Sequence, residues 1–497
     1  MIFISTIIVS NLTFAYDGSY DNVFENVSFS IDTNWKLGFI GRNGRGKTTF
    51  LNLLMGKFEY SGKISASVNF EYFPFEIQDK SKNSCDIADM LCPNYEFWEL
   101  CKEISLLQMD EEVLFRPFKT LSKGEQTKVL LAILFLKENN FLLIDEPTNH
   151  LDIESRAIVS KYLNSKKGFI LVSHDRTFLD SCIDHVLSIN RTNIEVQKGN
   201  YSSWWQNKKN QDNMELSQNE KLNKEIKRLN VSARRTASWA SKAESSKSRI
   251  VGQKDTKFID RGFMGHKSAK MMKRSTSVQK RKEKSIEEKS KLLKNIETAD
   301  SLKIHPLNHY QNTLIEISNL SIIYDENPIF KPLSFSVTNG DRVWLCGKNG
   351  CGKSSLIKLI LGKNIKFSGN INIASHLKIS YVSQDTSNLN GNLTDFSKKF
   401  DIDESLFKTI LRKFDFSRDQ FEKNIDDFSE GQKKKVLIAK SLCEQAHVYI
   451  WDEPLNFIDV WSRIQIEDLI LKYNPTMIFV EHDRTFSEKI ANKIINF

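Results

Sequence analysis

The nine residues GRNGRGKTT at positions 41–49 return 306 positions later as GKNGCGKSS at 347–355. Both fit the pattern G-x-x-x-x-G-K-[ST], in which glycines let backbone N–H groups turn towards phosphate oxygens. A strand-like apolar run precedes each copy, at 37–40 and 342–345, and a helical stretch follows it. One such match could be a chance glycine turn, but two matches in register exclude that alternative. The sequence therefore predicts two phosphate-binding loops, each set between a strand and a helix.

Three further segments repeat in the same order and at nearly the same interval. LSKGEQ at 121–126 matches FSEGQK at 428–433, FLLIDEP at 141–147 matches YIWDEP at 449–454, and LVSHDRTF at 171–178 matches FVEHDRTF at 479–486. Four motifs in one order at a constant offset indicate a duplicated domain. We predict an α/β fold with two tandem P-loop domains, residues 1–204 and 301–497, joined by a linker at 205–300.

The net charge of +9 is concentrated in the middle of the chain. Residues 208–300 contain 25 Lys and Arg against 12 Asp and Glu, so this segment carries +13 and the remainder −4. Such asymmetry is expected of a nucleic-acid-binding segment between near-neutral domains. The longest apolar run, 129–136, is far shorter than the roughly 20 residues that cross a bilayer. Seven cysteines without a C-x-x-C pair argue against a zinc site or a disulfide framework and favour a reducing cytoplasm.

Each glycine loop carries residue types that suit phosphate and Mg²⁺. Lys47 and Lys353 would neutralise the β- and γ-phosphates, and Thr48 and Ser354 would hold Mg²⁺. The predicted nucleotide contacts of the two loops are Gly41, Asn43, Gly44, Gly46, Lys47, Thr48 and Thr49, and Gly347, Asn349, Gly350, Gly352, Lys353, Ser354 and Ser355.

An acidic pair ends an apolar run in each half of the chain. Asp145 and Asp452 stand at the carboxyl end of a buried strand, beside the glycine loop, where a carboxylate can reach Mg²⁺. Glu146 and Glu453 follow and point the other way, which suits them to orient or deprotonate an attacking water. Each pair could instead be solvated loop residues, but the repetition of D-E-P argues against that alternative.

A histidine follows a later strand in each half, His174 after 169–172 and His482 after 477–480. A lone histidine is usually structural, and its repetition at this place favours contact with a γ-phosphate. The LSKGEQ and FSEGQK segments place Ser and Gly at a helix start, which is a ready anion site. The predicted contacts in these segments are Ser122, Gly124, Glu125, Ser429, Gly431 and Gln432.

Together these segments resemble the Walker A, signature, Walker B and switch-histidine motifs of the ATP-binding-cassette superfamily. The resemblance implies an ATPase in which each ATP lies between the glycine loop of one cassette and the signature of the other. It implies a monomer with intramolecular cassette pairing. The implied partners are Lys47 with Ser429 and Gly431, and Lys353 with Ser122 and Gly124.

The same resemblance assigns three further positions and implies ATP and Mg²⁺ as ligands. Tyr16 and Tyr324 match the place of an aromatic ring that stacks on adenine, although either could be an ordinary strand aromatic. Gln384 in YVSQD matches the Q-loop glutamine, which contacts both the nucleotide and Mg²⁺. The first cassette departs from this pattern, because Phe75 stands where glutamine is usual.

The sequence of the linker predicts two antiparallel helices around a basic tip near 250–265. Leu222, Ile226 and Leu229 share one helical face, and residues 205–249 would span about 67 Å as a helix. Basic residues interleaved with aromatics suit RNA, through phosphate pairing and base stacking. The alternative is a solvated, charged coiled coil. The predicted RNA contacts are Lys242, Lys247, Arg249, Lys254, Lys257, Phe258, Arg261 and Phe263.

Tandem cassettes joined by a charged helical hairpin resemble the ABC-F translation factors. EPTNHLD at 146–152 and GNYS at 199–202 carry this resemblance, and PLNFID at 454–459 resembles the Lsa/Vga-type antibiotic-resistance members. The resemblance implies a cytoplasmic, ribosome-associated ATPase that binds the E site and extends its linker along large-subunit rRNA towards P-site tRNA. It implies protection of the peptidyl-transferase centre from lincosamides, pleuromutilins and streptogramin A.

Two other functions stay open at this point. A housekeeping translation factor of the same family would act on stalled ribosomes without any drug. An ATPase subunit of a transporter would instead use the hairpin to dock onto a membrane partner. The basic linker and the absence of an apolar run long enough to cross a bilayer favour the ribosome over the membrane.

Overall fold

The computed structural model describes residues 5–18, 22–137, 140–149, 151–190, 194–250, 280, 301–324 and 327–497. The chain divides into two units, Met1–Trp204 together with Ala299–Phe497, and Trp205–Thr298. The first unit contains both cassettes, and the second unit is the linker.

The first cassette contains a parallel sheet and an antiparallel sheet. Its strands are β1 (Thr6–Phe14), β2 (Phe24–Asp32), β3 (Lys36–Ile40), β4 (Ser61–Ser65), β5 (Asn69–Phe73), β6 (Asn140–Asp145), β7 (Phe169–Val172), β8 (His185–Ile189) and β9 (Ile194–Lys198). One sheet has the order β5-β6-β7-β3-β8-β9 and is parallel except for β9. The other has the order β2-β1-β4 and is antiparallel. Its α-helices are α1 (Lys47–Leu54), α2 (Ser84–Leu91), α3 (Phe97–Leu106), α4 (Lys123–Leu136), α5 (Ile153–Asn164) and α6 (Arg176–Cys182).

The second cassette repeats this arrangement. Its strands are β10 (Thr313–Tyr324), β11 (Asn327–Pro328), β12 (Leu333–Thr338), β13 (Arg342–Cys346), β14 (Phe367–Ile373), β15 (Ile379–Val382), β16 (Val448–Asp452), β17 (Met477–Val480) and β18 (Lys493–Asn496). The parallel sheet has the order β15-β16-β17-β13-β18, and β10 pairs with β11, β12 and β14 in the antiparallel sheet. Chain order continues from α7 (Tyr201–Ile250), in the linker, to the helices α8 (Lys353–Ile360), α9 (Leu393–Lys399), α10 (Glu404–Lys413), α11 (Arg418–Glu422), α12 (Glu430–Cys443), α13 (Val460–Tyr473) and α14 (Arg484–Ile490).

The inner parallel strands are buried on both faces, and the site lies at their carboxyl ends. Strand β7 reads FILV and is buried throughout, as a parallel strand covered by helices should be. In the first cassette, Phe39 of β3 and Phe50 of α1 pack in the core with Ile7 of the antiparallel sheet. Because the carboxyl ends of parallel strands meet at one edge, the glycine loop after β3 lies beside the acidic pair after β6.

The described part of the linker is almost entirely helix α7. The helix predicted across 205–249 lies within Tyr201–Ile250. Lys242, Lys247 and Arg249 fall in this helix, and their side chains lie outside the described residues. The predicted tip and returning helix also lie outside them, as do Lys254, Lys257, Phe258, Arg261 and Phe263.

None of the helices in the described ranges is both long enough and apolar enough to cross a membrane.

Candidate functional site

The first glycine loop curls around its own lysine. Gly46 adopts φ +91°, a left-handed conformation, immediately before α1 begins at Lys47. A Cβ at Gly46 would lie 2.6 Å from the Val23 side chain, so this position requires glycine. The Lys47 ammonium donates to the carbonyl oxygens of Gly41 at 2.6 Å and of Arg42 at 3.2 Å. The loop thus holds a buried cation at a helix N-terminus, which suits a phosphate chain.

The second glycine loop has the same construction. Gly352 adopts φ +101° before α8 begins at Lys353. The Lys353 ammonium donates to the carbonyl oxygens of Gly347 and Lys348, both at 2.7 Å. The two loops therefore share the backbone form that their common sequence pattern predicts.

A hydroxyl and a carboxylate meet at the first residue pair predicted to hold Mg²⁺. Thr48 Oγ1 donates to Asp145 Oδ2 at 3.1 Å, and the Tyr72 hydroxyl donates to the same oxygen at 3.0 Å. Burial raises the pKa of Asp145, against these two hydrogen bonds and the charge of Lys47. One carboxylate plus one hydroxyl beside a phosphate loop suits Mg²⁺, which keeps most of its other ligands as water and phosphate oxygens.

The second cassette repeats this pair. The Ser354 side chain forms a hydrogen bond with Asp452, and burial raises the pKa of Asp452 to about 6. Among the described residues, Oδ1 of Asp452 is buried without a hydrogen-bond partner. A buried acceptor of this kind fits a cation, because it would otherwise go unsatisfied. The residues present therefore fit Mg²⁺ at both loops.

Both glutamates of the acidic pairs have the same unusual backbone. Glu146 adopts φ 50° and Glu453 φ 49°, in the left-handed region that non-glycine residues rarely occupy. Each is held there by its own N–H, which donates to Val172 O at 2.9 Å and to Val480 O at 3.0 Å respectively. Such a conformation costs about 1–3 kcal/mol and persists where the surrounding structure enforces it. The shared strain marks both glutamates as functional candidates.

The Glu453 carboxylate accepts hydrogen bonds from two amide side chains. Its Oε2 accepts from Gln384 Nε2 at 2.9 Å and from Asn456 Nδ2 at 2.7 Å, while His482 Nε2 lies 3.5 Å from Oε1. Burial alone would raise the pKa of Glu453, but His482, Lys434 and Gln384 together hold it below its usual value. This glutamate is therefore maintained as an ionised, oriented carboxylate.

The Glu146 carboxylate accepts a hydrogen bond from the His174 backbone, but among the described residues none from an amide side chain. Burial and the adjacent Asp145 raise the pKa of Glu146 to about 8. Its Oε1 is buried, and among the described residues it has no hydrogen-bond partner. His174 Nε2 lies 3.3 Å away, outside hydrogen-bond alignment, and burial holds the pKa of His174 well below its usual value. The predicted water-activating residues of the two cassettes thus stand in different surroundings.

One cavity brings the first glycine loop together with the signature of the second cassette. Asn43 Nδ2 donates to Phe457 O at 2.9 Å, and a Cβ on Gly431 would lie 2.5 Å from that same oxygen. The cavity has a volume of about 1050 Å³ and is lined by residues of both cassettes. Lining residues that the sequence predicted are Tyr16, Asn43, Gly44, Gly46, Lys47, Thr48, Thr49, Asp145, Glu146, His174, Ser429 and Gly431.

The second glycine loop also contacts the opposite cassette. Lys348 Nζ lies 2.9 Å from Glu154 of the first cassette. Burial opposes ionisation of Asp152, yet hydrogen bonds from Ser155 and the Asn349 backbone lower its pKa. These contacts come from the start of α5. The pairing of Lys353 with Ser122 and Gly124 stays a prediction.

Both signature serines act as helix caps. Ser122 Oγ accepts from the Glu125 backbone at 3.2 Å, and the Glu125 carboxylate accepts from the Ser122 backbone at 2.7 Å. Ser429 and Gln432 form the same reciprocal pair at the start of α12. Such capping boxes fix the direction of the helix start, and they account for Glu125 and Gln432 as structural partners of the serines.

The two tyrosines predicted beside adenine are half-exposed and tied to the glycine-loop helices. The Tyr16 hydroxyl lies 2.6 Å from Thr49 Oγ1, and the Tyr324 hydroxyl lies 3.4 Å from Ser355 Oγ. Their contact with adenine stays a prediction.

Beyond the glycine loops, the cassettes meet through charged and aromatic side chains that the sequence reasoning missed. Arg176 forms an ion pair with Glu467 of the other cassette, and Glu467 is fully buried. Thr177 Oγ1 lies 2.6 Å from Thr485 Oγ1. Trp204, near the start of α7, lies edge-to-face with Trp461 of the second cassette at 6.2 Å between ring centres. No motif spacing could have signalled these partners.

The fold and the site define an ATPase built from two paired cassettes. A family profile described as "ABC transporter" matches residues 24–149 and again 330–456, together about half of the chain. A second profile with the same description matches residues 187–251. The chain therefore belongs to the ABC family of ATPases, and within it to the ABC-F proteins with two cassettes in one chain.

Similar proteins cover nearly the whole chain. "Ribosome protection protein VmlR" of Bacillus subtilis is 28% identical over 98% of this chain and 86% of its own length. "Energy-dependent translational throttle protein EttA" of Escherichia coli is 26% identical over 96% of this chain and 89% of its own length.

Solved structures support the fold alone. Archaeal ABCE1, in complex with the ribosomal stalk protein aP1, superposes with a TM-score of 0.62 at 17% identity, over 98% of this chain and 87% of that one. A model of ribosome-bound archaeal Pelota and ABCE1 gives 0.64 at 18% identity, over 98% and 76%.

Proposed function

We propose that this chain is a cytoplasmic, ribosome-binding ATPase that protects the peptidyl-transferase centre from lincosamide, pleuromutilin and streptogramin A antibiotics. The observation that carries the proposal is the cavity shared by the first glycine loop and the opposite signature. Such a shared site couples nucleotide occupancy to closure of the two cassettes. The likeness to a ribosome protection protein over 98% of the chain supports the ribosome as the partner.

In this proposal each cassette contributes the same set of roles. Lys47 and Lys353 bind the β- and γ-phosphates, while the Thr48–Asp145 and Ser354–Asp452 pairs hold Mg²⁺, which offsets phosphate charge. Gln384 adds a Mg²⁺ contact in the second cassette. Glu146 and Glu453 orient and deprotonate water, and His174 and His482 contact the γ-phosphate. Tyr16 and Tyr324 stack on adenine.

The linker supplies the contact with RNA. Its segment 208–300 carries a net charge of +13, which favours association with polyphosphate surfaces such as large-subunit rRNA and P-site tRNA. We propose that the closed protein occupies the ribosomal E site as a monomer and directs the linker tip towards the drug site. The residues proposed to bind RNA are Lys242, Lys247, Arg249, Lys254, Lys257, Phe258, Arg261 and Phe263.

The test uses a variant that closes without hydrolysing ATP. The double variant Glu146→Gln, Glu453→Gln should accumulate on 70S ribosomes when ATP is present and should fail to do so without nucleotide. Sedimentation through sucrose measures the bound fraction. A matched control changes exposed Glu112 to Gln and should sediment like the parent. Absence of ATP-dependent co-sedimentation would contradict ribosome binding by the closed form.

A housekeeping role in translation is the second candidate, and the likeness to a translational throttle protein favours it. Expression of the parent chain in a drug-sensitive host separates the two functions. Protection predicts that the lincosamide concentration that stops growth rises severalfold with the parent and not with a Lys47→Ala, Lys353→Ala variant. An unchanged inhibitory concentration, with ribosome binding intact, would favour the housekeeping role.

A further inference from the structure

The two centres of this ATPase share their motifs and differ in the residues that support them. We call the residues around Lys47 and Glu146 the first centre, and those around Lys353 and Glu453 the second centre. At three corresponding positions, the second centre has a more polar or a charged side chain where the first centre has an apolar side chain or a hydroxyl. The pairs are Phe75 and Gln384, Thr127 and Lys434, and Ser173 and Glu481.

Lys434 ties two catalytic segments together in the second centre. It is 2% exposed, and its ammonium donates to Ser383 O at 3.0 Å and to Glu453 O at 3.2 Å. Ser383 directly precedes Gln384, whose amide donates to the Glu453 carboxylate at 2.9 Å. One buried cation therefore fixes the loop that carries the glutamine against the backbone of the glutamate.

Glu481 is a second buried ionisable residue beside Glu453. It is 3% exposed, and its Oε1 accepts from the Leu455 backbone at 2.7 Å, two residues after Glu453. The charges of Glu481 and Lys434 act on each other in this buried region. Among the described residues no ion pair joins the two side chains, and the nearby charge that most favours ionisation of Glu481 is that of Arg463.

The first centre has neither a lysine at the position of Lys434 nor a glutamate at the position of Glu481. Thr127 donates to Lys123 O of its own helix at 2.9 Å. Ser173 Oγ lies 3.2 Å from the Thr148 hydroxyl and accepts from the Asp175 backbone N–H at 3.2 Å. Phe75 has no amide to offer Glu146. Asn149, the counterpart of Asn456, makes no hydrogen bond to Glu146 among the residues that the structure describes.

We propose that the second centre hydrolyses ATP faster and that the first centre retains ATP for longer, with Lys434 as a positioning residue. Hydrolysis joins a water oxygen to the γ-phosphorus and breaks its bond to the oxygen that bridges the β- and γ-phosphates. The electron pair of the broken bond stays on ADP, and the proton from water passes to a carboxylate oxygen. A carboxylate oriented by two amide side chains performs this transfer more readily than one without these two donors.

The first experiment compares Glu146→Gln with Glu453→Gln in the full chain without ribosomes, so it is independent of the proposed partner. Phosphate release should fall by tenfold or more in Glu453→Gln, since a general base contributes about 10²–10⁴-fold. The loss in Glu146→Gln should be at least about threefold smaller. After rapid desalting, the ratio of ATP to ADP on the protein should be higher in Glu453→Gln. Equal losses or a reversed order would overturn the proposal.

The second experiment replaces two residues of the second cassette with their counterparts from the first cassette. The variant Lys434→Thr, Glu481→Ser gives the second centre the residues that stand at these two positions in the first. Its kcat should fall about tenfold, as misplacement of catalytic groups predicts, while the KM for ATP stays within about twofold. Exposed Lys472→Thr is the matched control and should match the parent. An unchanged kcat in a double variant that melts like the parent would overturn the role of Lys434.

Discussion

The two cassettes carry the same motifs in the same order, yet their neighbouring residues give those motifs different properties. Glu146 and Glu453 share a left-handed backbone within one degree of each other, and both follow a parallel strand. Only Glu453 accepts hydrogen bonds from two amide side chains. A motif therefore determines where a catalytic group stands, while residues outside the motif determine its ionisation and orientation.

The largest effect is expected from two arginines that occupy the same place in the HDRTF repeats. Arg176 is an ion-pair partner of fully buried Glu467, whereas Arg484 pairs with Glu488 at the surface. Arg176→Ala should lower the free energy of unfolding by about 3 kcal/mol, because buried Glu467 then keeps only Lys489 as a cationic partner. Arg484→Ala should leave the urea midpoint unchanged. Equal midpoints in the two variants would remove this difference between the cassettes.

The next largest effect is expected at Gly431, the signature glycine of the second cassette, which packs closely against the backbone of Phe457. Gly431→Ala places a Cβ about 2.5 Å from Phe457 O and 3.1 Å from Asn43 Nδ2, so it should disturb the hydrogen bond by which the first glycine loop contacts the second cassette. We expect the ATPase rate to fall by about a hundredfold, the typical consequence of misplaced catalytic groups. Exposed Asp468→Ala, on α13, serves as the control. A normal rate in Gly431→Ala would show that hydrolysis does not need this contact.

The third prediction concerns pH, because only the second cassette has a buried acid at the Glu481 position. Burial raises the pKa of Glu481 from 4.5 to about 7, so between these values the folded protein binds a proton that the unfolded chain releases. This group therefore destabilises the fold as pH rises from 4.5 to 7, by about 1.4 kcal/mol per pH unit. Urea unfolding of the parent relative to Glu481→Gln should show this slope. The difference between the parent and Ser173→Ala should stay flat, and a flat Glu481→Gln difference would contradict the assignment.

The smallest effect is expected at the Q-loop position, where the first centre has Phe75 and the second has Gln384. In the Glu453→Gln background, Phe75→Gln supplies an amide to the first centre and should raise the remaining phosphate release by about threefold, the effect of roughly one added hydrogen bond. Phe75→Leu keeps the position apolar and should cause no increase. A rate that rises equally in both variants would point to the removal of the aromatic ring and not to the added amide.

Much of the site could be predicted from sequence because its residues lie in local patterns. The glycine loops, the strand-end aspartates and the helix-capping serines depend on neighbours within a few positions, so spacing alone locates them. The strands expected at 37–40 and 342–345 are confirmed as parts of β3 and β13.

The remaining features depend on contacts between distant segments. Arg176 and Glu467 are 291 positions apart, and nothing in their local sequence indicates that they meet. The left-handed backbone of Glu146 arises from its hydrogen bond to Val172, which only the folded sheet provides. By contrast, Lys434 and Glu481 could have been found from sequence, because aligning the two halves shows that both charges are present in one half and absent in the other.

Helix α7 begins where the two cassettes touch, and it is long enough that a small change in its direction displaces its far end by a much larger distance. Trp204 packs against Trp461, which follows the cavity-lining residue Phe457 by four positions, so the first turn of this helix contacts a segment that continues from the nucleotide cavity. The helix has 50 residues, or about 75 Å at 1.5 Å per residue. By simple trigonometry, a one-degree change of direction at Tyr201 displaces Ile250 by about 1.3 Å. A small change of direction in the first turn of this helix is therefore enough to displace its last described residue by about the width of an atom.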